Sequence, residues 1–276
     1  MISLIESLIY GFLSGLTEFL PVSAQGHQAI MLRLFGADHR DPVLDFFVHS
    51  GVLFALLFSC KTMFANLRRE QLLLKRSRRK NHTYERKGVY ELRLFKTAIV
   101  PMLLGMLIYW AARKAEFKPL LLVLYFVVNG IILIIPEYMA HGNKDASAMT
   151  GWDAILLGLT TCLSSLPGIS RVGTMGAITT ARGADRQSAL NWILMLSAPA
   201  LVVWLGFDIV NLIIQGFDPI SFITILCYFL SAAAAFGGAY LGVVFMRYLT
   251  VRIGYVGFAY YSWGAAMFSF VLYLIV

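Results

Sequence analysis

The sequence predicts an all-α integral membrane protein, and three observations predict it. Hydrophobic residues make up 59% of the 276-residue chain and charged residues only 14%. A soluble domain is about one-quarter charged, so this chain lacks the polar surface to coat a water-soluble globule. Second, its apolar runs extend without interruption toward the roughly 20 residues that cross a hydrocarbon core as a helix. That pattern excludes a transmembrane β-barrel, whose strands alternate apolar and polar residues. Third, the basic residues cluster. The net charge of +8 comes from 23 Lys and Arg against 15 Asp and Glu. In a membrane protein such an excess gathers in cytoplasmic loops, so no nucleic-acid partner is expected.

The chain reads as a single transmembrane domain over 1–276. Ile2–Phe35 is apolar but broken by LPVSAQGH from Leu20 to His27. Pro, Gly and Ser in mid-run force irregular backbone, which survives at membrane depth only when buried in protein or lining a polar cavity. A re-entrant helical hairpin is therefore expected over 2–35. It has neither a basic region before it nor a small-residue cleavage site, so it does not read as a signal peptide. Val43–Cys60, Leu92–Ala112 and Leu120–Ile135 are the next three spans, the last opened by Pro119. Arg93 and Lys96 lie near one end of their span, where they can snorkel.

The order then recurs. Trp152–Arg182 is apolar but broken by SLPGISRVGT from Ser165 to Thr174, and predicts a second re-entrant hairpin over 152–182. Gln187–Gly206, with Pro199 as a kink, Ile220–Met246 and Gly254–Val276 complete the set. A hairpin and three spans fill 1–138; a hairpin and three spans fill 151–276. Three is odd, so the second half enters from the opposite side. The expectation is an inverted-topology repeat with six full transmembrane helices and two hairpins that meet near the midplane.

Residues 67–96 hold eleven Lys and Arg, including KRSRRK from Lys75 to Lys80. Placing the basic loop 67–91 in the cytoplasm puts sixteen of the 23 basic residues there, with Arg40, Arg113, Lys114 and Lys118 opposite. The first hairpin then opens outward and the second inward. Trp110, Trp152, Trp204 and Trp263, near span ends, read as interfacial anchors. Cys60, Cys162 and Cys227 lie far apart in apolar sequence and read as buried hydrophobes.

Ionisable residues inside a membrane are costly and mark function. Glu18, His27 and Arg171 lie at the two breaks, with Ser23 and Ser170 beside them; Asp45 and His49 lie in the span after the first hairpin. Asp45, near the start of its span, reads as a helix cap. If the breaks meet, a carboxylate, an imidazole, two hydroxyls, a guanidinium and freed backbone N–H groups share one pocket. Restarting helices present unpaired N–H groups to an anion. Arg171 offers a planar fork that matches phosphate oxygens. His27 can exchange a proton near neutral pH. Glu18 can hold a divalent metal or orient a nucleophile. A pocket at membrane depth suits a phosphate carried on a lipid tail.

Here the chain resembles a known family, the undecaprenyl-diphosphate phosphatases or bacitracin-resistance proteins. The family's first motif reads E-G-L-T-E-F-L-P-V-S-S-T-G-H; Ser14 to His27 read SGLTEFLPVSAQGH. Its second reads P-G-x-S-R-S-G; Pro167 to Gly173 read PGISRVG. LDFFVHSGVLFALL from Leu44 and RGADRQSALNWILMLSAP from Arg182 are similar to two further family segments. The resemblance covers nearly the whole chain in order. It implies removal of the terminal phosphate of undecaprenyl diphosphate, regenerating the monophosphate carrier of wall polymers. It also implies a divalent metal, Mg or Ca, with Glu18 as a ligand. A multi-pass bacterial plasma-membrane protein, with its active site opening outward, is implied too. Matched residue by residue, it implies catalytic roles for Glu18, Ser23, His27 and Arg171. Thr17, Gly26, Gly168, Ser170 and Gly173 are the substrate-binding candidates. The chain departs from the motifs at Ser14, Ala24, Gln25 and Val172, and has Thr161 where the family has a glutamine. One carboxylate remains where the family has two at i,i+4. A non-catalytic lipid-phosphate carrier or flippase, and a proton-coupled transporter using Glu18 and His27 as relay, stay open as alternatives; so does a homodimer.

Overall fold

The computed structural model describes residues 3–37, 40–79, 90–112, 118–139, 142–145, 147–164, 166–216, 221–252 and 254–275. Among these the protein is helical. Eleven α-helices run in order: α1 Leu4–Glu18, α2 Ala24–Leu34, α3 Pro42–Ser59, α4 Lys61–Arg79, α5 Tyr90–Ala112 and α6 Pro119–Ile134. They continue with α7 Gly151–Ser164, α8 Arg171–Ala181, α9 Arg186–Gln215, α10 Phe222–Arg252 and α11 Val256–Ile275. A 3₁₀ turn, Ile135–Tyr138, extends α6.

Helix starts follow local chemistry. Ser3 and Glu6 close a capping box on α1. Asp41 caps α3 ahead of Pro42, and Asp185 caps α9. The two expected breaks are real. α1 stops at Glu18 and α2 starts at Ala24; α7 stops at Ser164 and α8 starts at Arg171. Ser23 sits at φ 67°, the positive-φ non-glycine residue among those described, and Gly168 at φ 110°. Both are turn conformations that end a helix.

Five helical segments are long and apolar enough to cross a membrane: Pro42–Ser59, Pro119–Tyr138, Arg186–Gln215, Phe222–Leu249 and Val256–Ile275. This is a multi-pass membrane protein. The sixth expected span coincides with α5, which has the length but is not among the five; its side chains from 109 onward lie outside the described residues. Pro199 lies inside an unbroken 30-residue α9, which runs nine residues beyond the expected end at Gly206. The basic stretch read as a loop over 67–91 is helical as far as Arg79. Exposed Arg68, Arg69, Lys75 and Arg76 line α4, while Leu67 is buried. Residues 80–89 lie outside the described residues.

Small residues decide which helices meet. α1 packs on α10, and a Cβ at Gly11 or Gly15 would lie 2.2 Å from the Ser231 carbonyl oxygen or 2.1 Å from that of Ala235. α7 packs on α5 through Gly158, 2.3 Å by the same measure from the Ala98 carbonyl. Missing side chains let backbones touch, which drives association where no hydrophobic effect operates between helices. α3 packs on both α10 and α9, α9 also on α5, and α6 on α11. Large apolar side chains such as Phe54, Val100, Ile213 and Phe222 are exposed on the periphery, as lipid contact requires.

Candidate functional site

The two breaks meet. Ser23 joins them: its hydroxyl oxygen accepts the N–H of Gly26 in its own hairpin (3.2 Å) and the N–H of Gly168 in the other (3.0 Å). Both hydroxyl lone pairs are thereby engaged. Ser170 caps α8 by accepting the Gly173 N–H (3.1 Å) and donates to the Leu20 carbonyl (3.3 Å) across the junction. Asn129 of α6 ties the assembly from behind. Its amide donates to the Pro21 carbonyl (3.3 Å) and to Ser262 (2.8 Å), and its oxygen accepts the Ser170 N–H (2.8 Å).

The glycines serve this approach. A Cβ at Gly26 would lie 2.5 Å from the Phe126 ring and 3.1 Å from the Gly168 Cα; one at Gly173 would strike Leu133 and Pro21. Gly26, Gly168 and Gly173, the substrate-binding candidates, let two hairpins and α6 close to backbone contact. Thr17 does line the pocket, but its hydroxyl donates back to Leu13 (2.7 Å).

In front of the junction lies a pocket of about 250 Å³ including its mouth, lined by Thr17, Glu18, Ser23, Gln25, Ser170, Arg171 and Trp204 among others. The starts of α2 and α8 border it, and the first N–H groups of a helix have no partner within it. Glu18 and Arg171, 153 residues apart, form a buried ion pair: the Arg171 Nη2 donates to the Glu18 Oε1 at 2.7 Å. The Nη1 donates to Ser197 of α9 at 2.9 Å, and Ser197 in turn donates to the Ile193 carbonyl. The Arg171 Nε is buried without a partner. The pocket thus holds one carboxylate, one fixed guanidinium with spare donor capacity, and two positive helix ends. Such a set has the chemistry to receive an anion with several oxygens.

His27 is placed differently from the expectation. Its Nδ1 meets the Ser23 carbonyl and its Nε2 the Tyr261 hydroxyl, each at 2.8 Å, and its ring stacks on Tyr261. It supports the first hairpin from α11 and does not line the pocket. Asp45 is not the cap of α3, which is Asp41. It is buried at 1% exposure, 3.1 Å from Arg40 and accepting the Tyr10 hydroxyl at 2.8 Å. His49 faces inward: its Nδ1 is 2.6 Å from Asp208, its Nε2 is buried without a partner, and Trp204 packs edge-on against it. Trp204 is therefore a pocket wall and not an interfacial anchor. Trp152, 70% exposed, fits that role, and the Trp110 side chain lies outside the described residues.

A resident divalent metal is not built by these residues. Glu18 is the one carboxylate on the pocket wall and Arg171 already neutralises it, while Ser14, one turn earlier on α1, supplies no charge. No group of three ligating His, Cys, Asp or Glu side chains occurs among the described residues. Hard cations need several anionic oxygens.

Sequence reasoning missed Gln25, Asn129, Ser197, Trp204, Asp208 and Tyr261. Gln25 stands in the first motif as a departure, and Asp208 is a charge in apolar sequence just beyond the expected end of its span at Gly206; Asn129, Ser197, Trp204 and Tyr261 sit on ordinary spans with no local signal.

The fold and site together define a class: a multi-pass helical membrane protein with a pocket holding a buried carboxylate–guanidinium pair where two broken helix pairs meet. Residues 7–268 match the profile of a family described as Bacitracin resistance protein BacA, and the chain belongs to that family. It is similar to Undecaprenyl-diphosphatase 1 of Shouchella clausii, 28% identical over 273 residues that cover 98% of this chain and 96% of the relative. It is also similar to the Undecaprenyl-diphosphatase of Carboxydothermus hydrogenoformans, 27% identical over 260 residues, 94% and 93% of the two chains. That of Halothermothrix orenii is 25% identical over 259 residues, 93% of each.

Proposed function

We propose that this protein hydrolyses undecaprenyl diphosphate, or a similar polyprenyl diphosphate, to the monophosphate carrier and inorganic phosphate, which recycles the lipid carrier of wall polymers. One observation carries the reading: a guanidinium held on a buried carboxylate with a spare donor, between two helix starts, inside a membrane protein. A diphosphate needs that density of donors, and its prenyl chain needs the bilayer beside it. The names of the relatives point the same way.

Arg171 and the first N–H groups of α2 and α8 hold the phosphates. Preorganised donors aimed at phosphoryl oxygens stabilise the charge that builds during transfer. Glu18 fixes the fork of Arg171 and stands beside the reacting phosphate as a proton acceptor. Ser23, with both lone pairs engaged, secures the junction between the hairpins, and His27 buttresses it against Tyr261. A divalent cation, Mg²⁺ or Ca²⁺, enters only as a counter-ion that arrives with the diphosphate; no step depends on it.

The same reading makes the two breaks re-entrant hairpins of an inverted repeat of six spans. The packing supports it. Exchanging the halves turns the α1–α10 pair into α7–α5 and the α3–α10 pair into α9–α5, and returns α3–α9 and α6–α11 to themselves. With α4 and its arginines in the cytoplasm, the first hairpin opens outward and the pocket is reached from the outer face.

The test is phosphate release from polyprenyl diphosphate by purified protein, with Mg²⁺ and with chelator. Release in step with lipid monophosphate is expected. Binding and transbilayer movement of the lipid without release would show a carrier instead.

A further inference from the structure

Ser23 and Gln25 stand two residues apart and are opposites. The Ser23 hydroxyl oxygen accepts two backbone N–H groups, which draw on its lone pairs and blunt it as a nucleophile. Gln25 is 3% exposed, lines the pocket with Glu18 and Arg171, and has both its amide nitrogen and its amide oxygen buried without a partner. A buried amide unsatisfied at both ends is costly, and a native site keeps one where a partner arrives. Because both ends are free, the conclusion does not depend on which is taken as oxygen. The partner must accept at one end and donate at the other. A phosphate oxygen accepts; a water molecule donates. The neighbouring Ala24 offers no hydroxyl, and no other pocket-lining side chain has both capacities free.

We propose that Gln25 orients the attacking water on the terminal phosphate, and that hydrolysis proceeds directly without a phosphoserine. The amide N–H holds a terminal phosphate oxygen, and the amide carbonyl accepts a hydrogen of the water. A carboxamide orients the nucleophilic water in this manner in other phosphoryl-transfer enzymes. The water oxygen bonds to the terminal phosphorus as the bond from that phosphorus to the bridging oxygen breaks. The bridging oxygen keeps the electron pair and departs on the lipid monophosphate. Both water hydrogens end on the released dihydrogen phosphate, one of them by way of the Glu18 carboxylate, which takes it up and returns it, so the balance closes without a further reactant.

This inference rests on the phosphatase reading, and the experiment separates the two. Wild type, Gln25→Met and Gln25→Asn are compared as purified full-length protein in one detergent, with polyprenyl diphosphate labelled with ³²P on its terminal phosphate. If wild type releases no phosphate, the phosphatase reading fails and takes the inference with it. If it does, Gln25→Met, which keeps the volume without the amide, lowers kcat by about a hundredfold, the size expected for one lost donor at a developing charge. KM stays within about threefold, because the lost contact acts in the transition state. Gln25→Asn restores part of kcat, and acid-quenched wild type carries no ³²P. The inference is overturned by unchanged kcat, by a raised KM at constant kcat, or by ³²P on Ser23. If Gln25→Met does not elute as a folded species, the kcat and KM of Gln25→Asn decide alone.

Discussion

Replacing Arg171 with lysine keeps the charge and removes the fork, and the structure sets the size of the effect. The guanidinium spans two partners at once, Glu18 at 2.7 Å and Ser197 at 2.9 Å, with Nε spare for substrate. An ammonium is a point charge on a flexible stem and cannot bridge both. At least one charge-assisted bond is lost, worth about 1.5–3 kcal/mol. At about 1.4 kcal/mol per factor of ten, kcat/KM should fall by roughly 10- to 100-fold. A double-mutant cycle locates the loss. Ser197→Ala in wild type removes the anchor of one arm and should cost about tenfold; in the Arg171→Lys background it should cost almost nothing. The expected coupling is about 1–2 kcal/mol. Phosphate release measured across a substrate series supplies all four values. Wild-type kcat/KM in Arg171→Lys, or strictly additive costs, would refute the claim that one planar group links Glu18 to α9.

Glu18→Gln leaves Arg171 buried without its counter-charge, so it should lower stability by about 3–5 kcal/mol as well as abolish turnover. Glu18→Gln/Arg171→Met should recover most of that stability with no activity; thermal unfolding in detergent reads both. Gly15→Ala should destabilise by about 1–3 kcal/mol, since its Cβ would lie 2.1 Å from the Ala235 carbonyl, whereas Gly237→Ala, with nothing within 4 Å, should be neutral or better. Asn129→Leu strands the Ser170 N–H and the Pro21 carbonyl and should cost about 1–3 kcal/mol in the same assay. Ser14→Glu restores the acidic pair and should make phosphate release rise with Mg²⁺ where wild type is insensitive to it, more at neutral than at acidic pH, because one of two close carboxylates takes up a proton in acid; identical Mg²⁺ curves would place this side chain away from the phosphates.

What the sequence determined by itself is local or is forced by the bilayer. Membrane-spanning helices follow from run length and composition because an unsatisfied backbone is excluded from hydrocarbon. The two breaks follow from Pro167, Gly168 and Ser170, and from Pro21 and Ser23, because Pro, Gly and Ser clustered within a few residues favour turns and caps over helix. Glu18 and Arg171 stood out because a charge inside an apolar run is too costly to be idle. The tertiary structure decided the partnerships. Asp45 looked like a cap because it lies near a helix start; the fold makes it the partner of Arg40 and Tyr10. Trp204 looked like an anchor because it lies toward the end of an apolar run; α9 continues past it to Gln215, and its rotation turns the indole against His49 and the pocket. His27 reads as a proton carrier because it lies at the break; that its Nε2 meets the Tyr261 hydroxyl is decided by α11. Gln25 looked like a mere departure from a motif, and only the packing of two hairpins leaves both ends of its amide unpaired. For Asp45, Trp204 and His27 a deciding partner, Tyr10, His49 or Tyr261, lies on a helix distant in sequence. Which faces of those helices meet is set by where glycines such as Gly15, Gly26 and Gly158 allow backbones to touch, and no residue on a single span records that geometry.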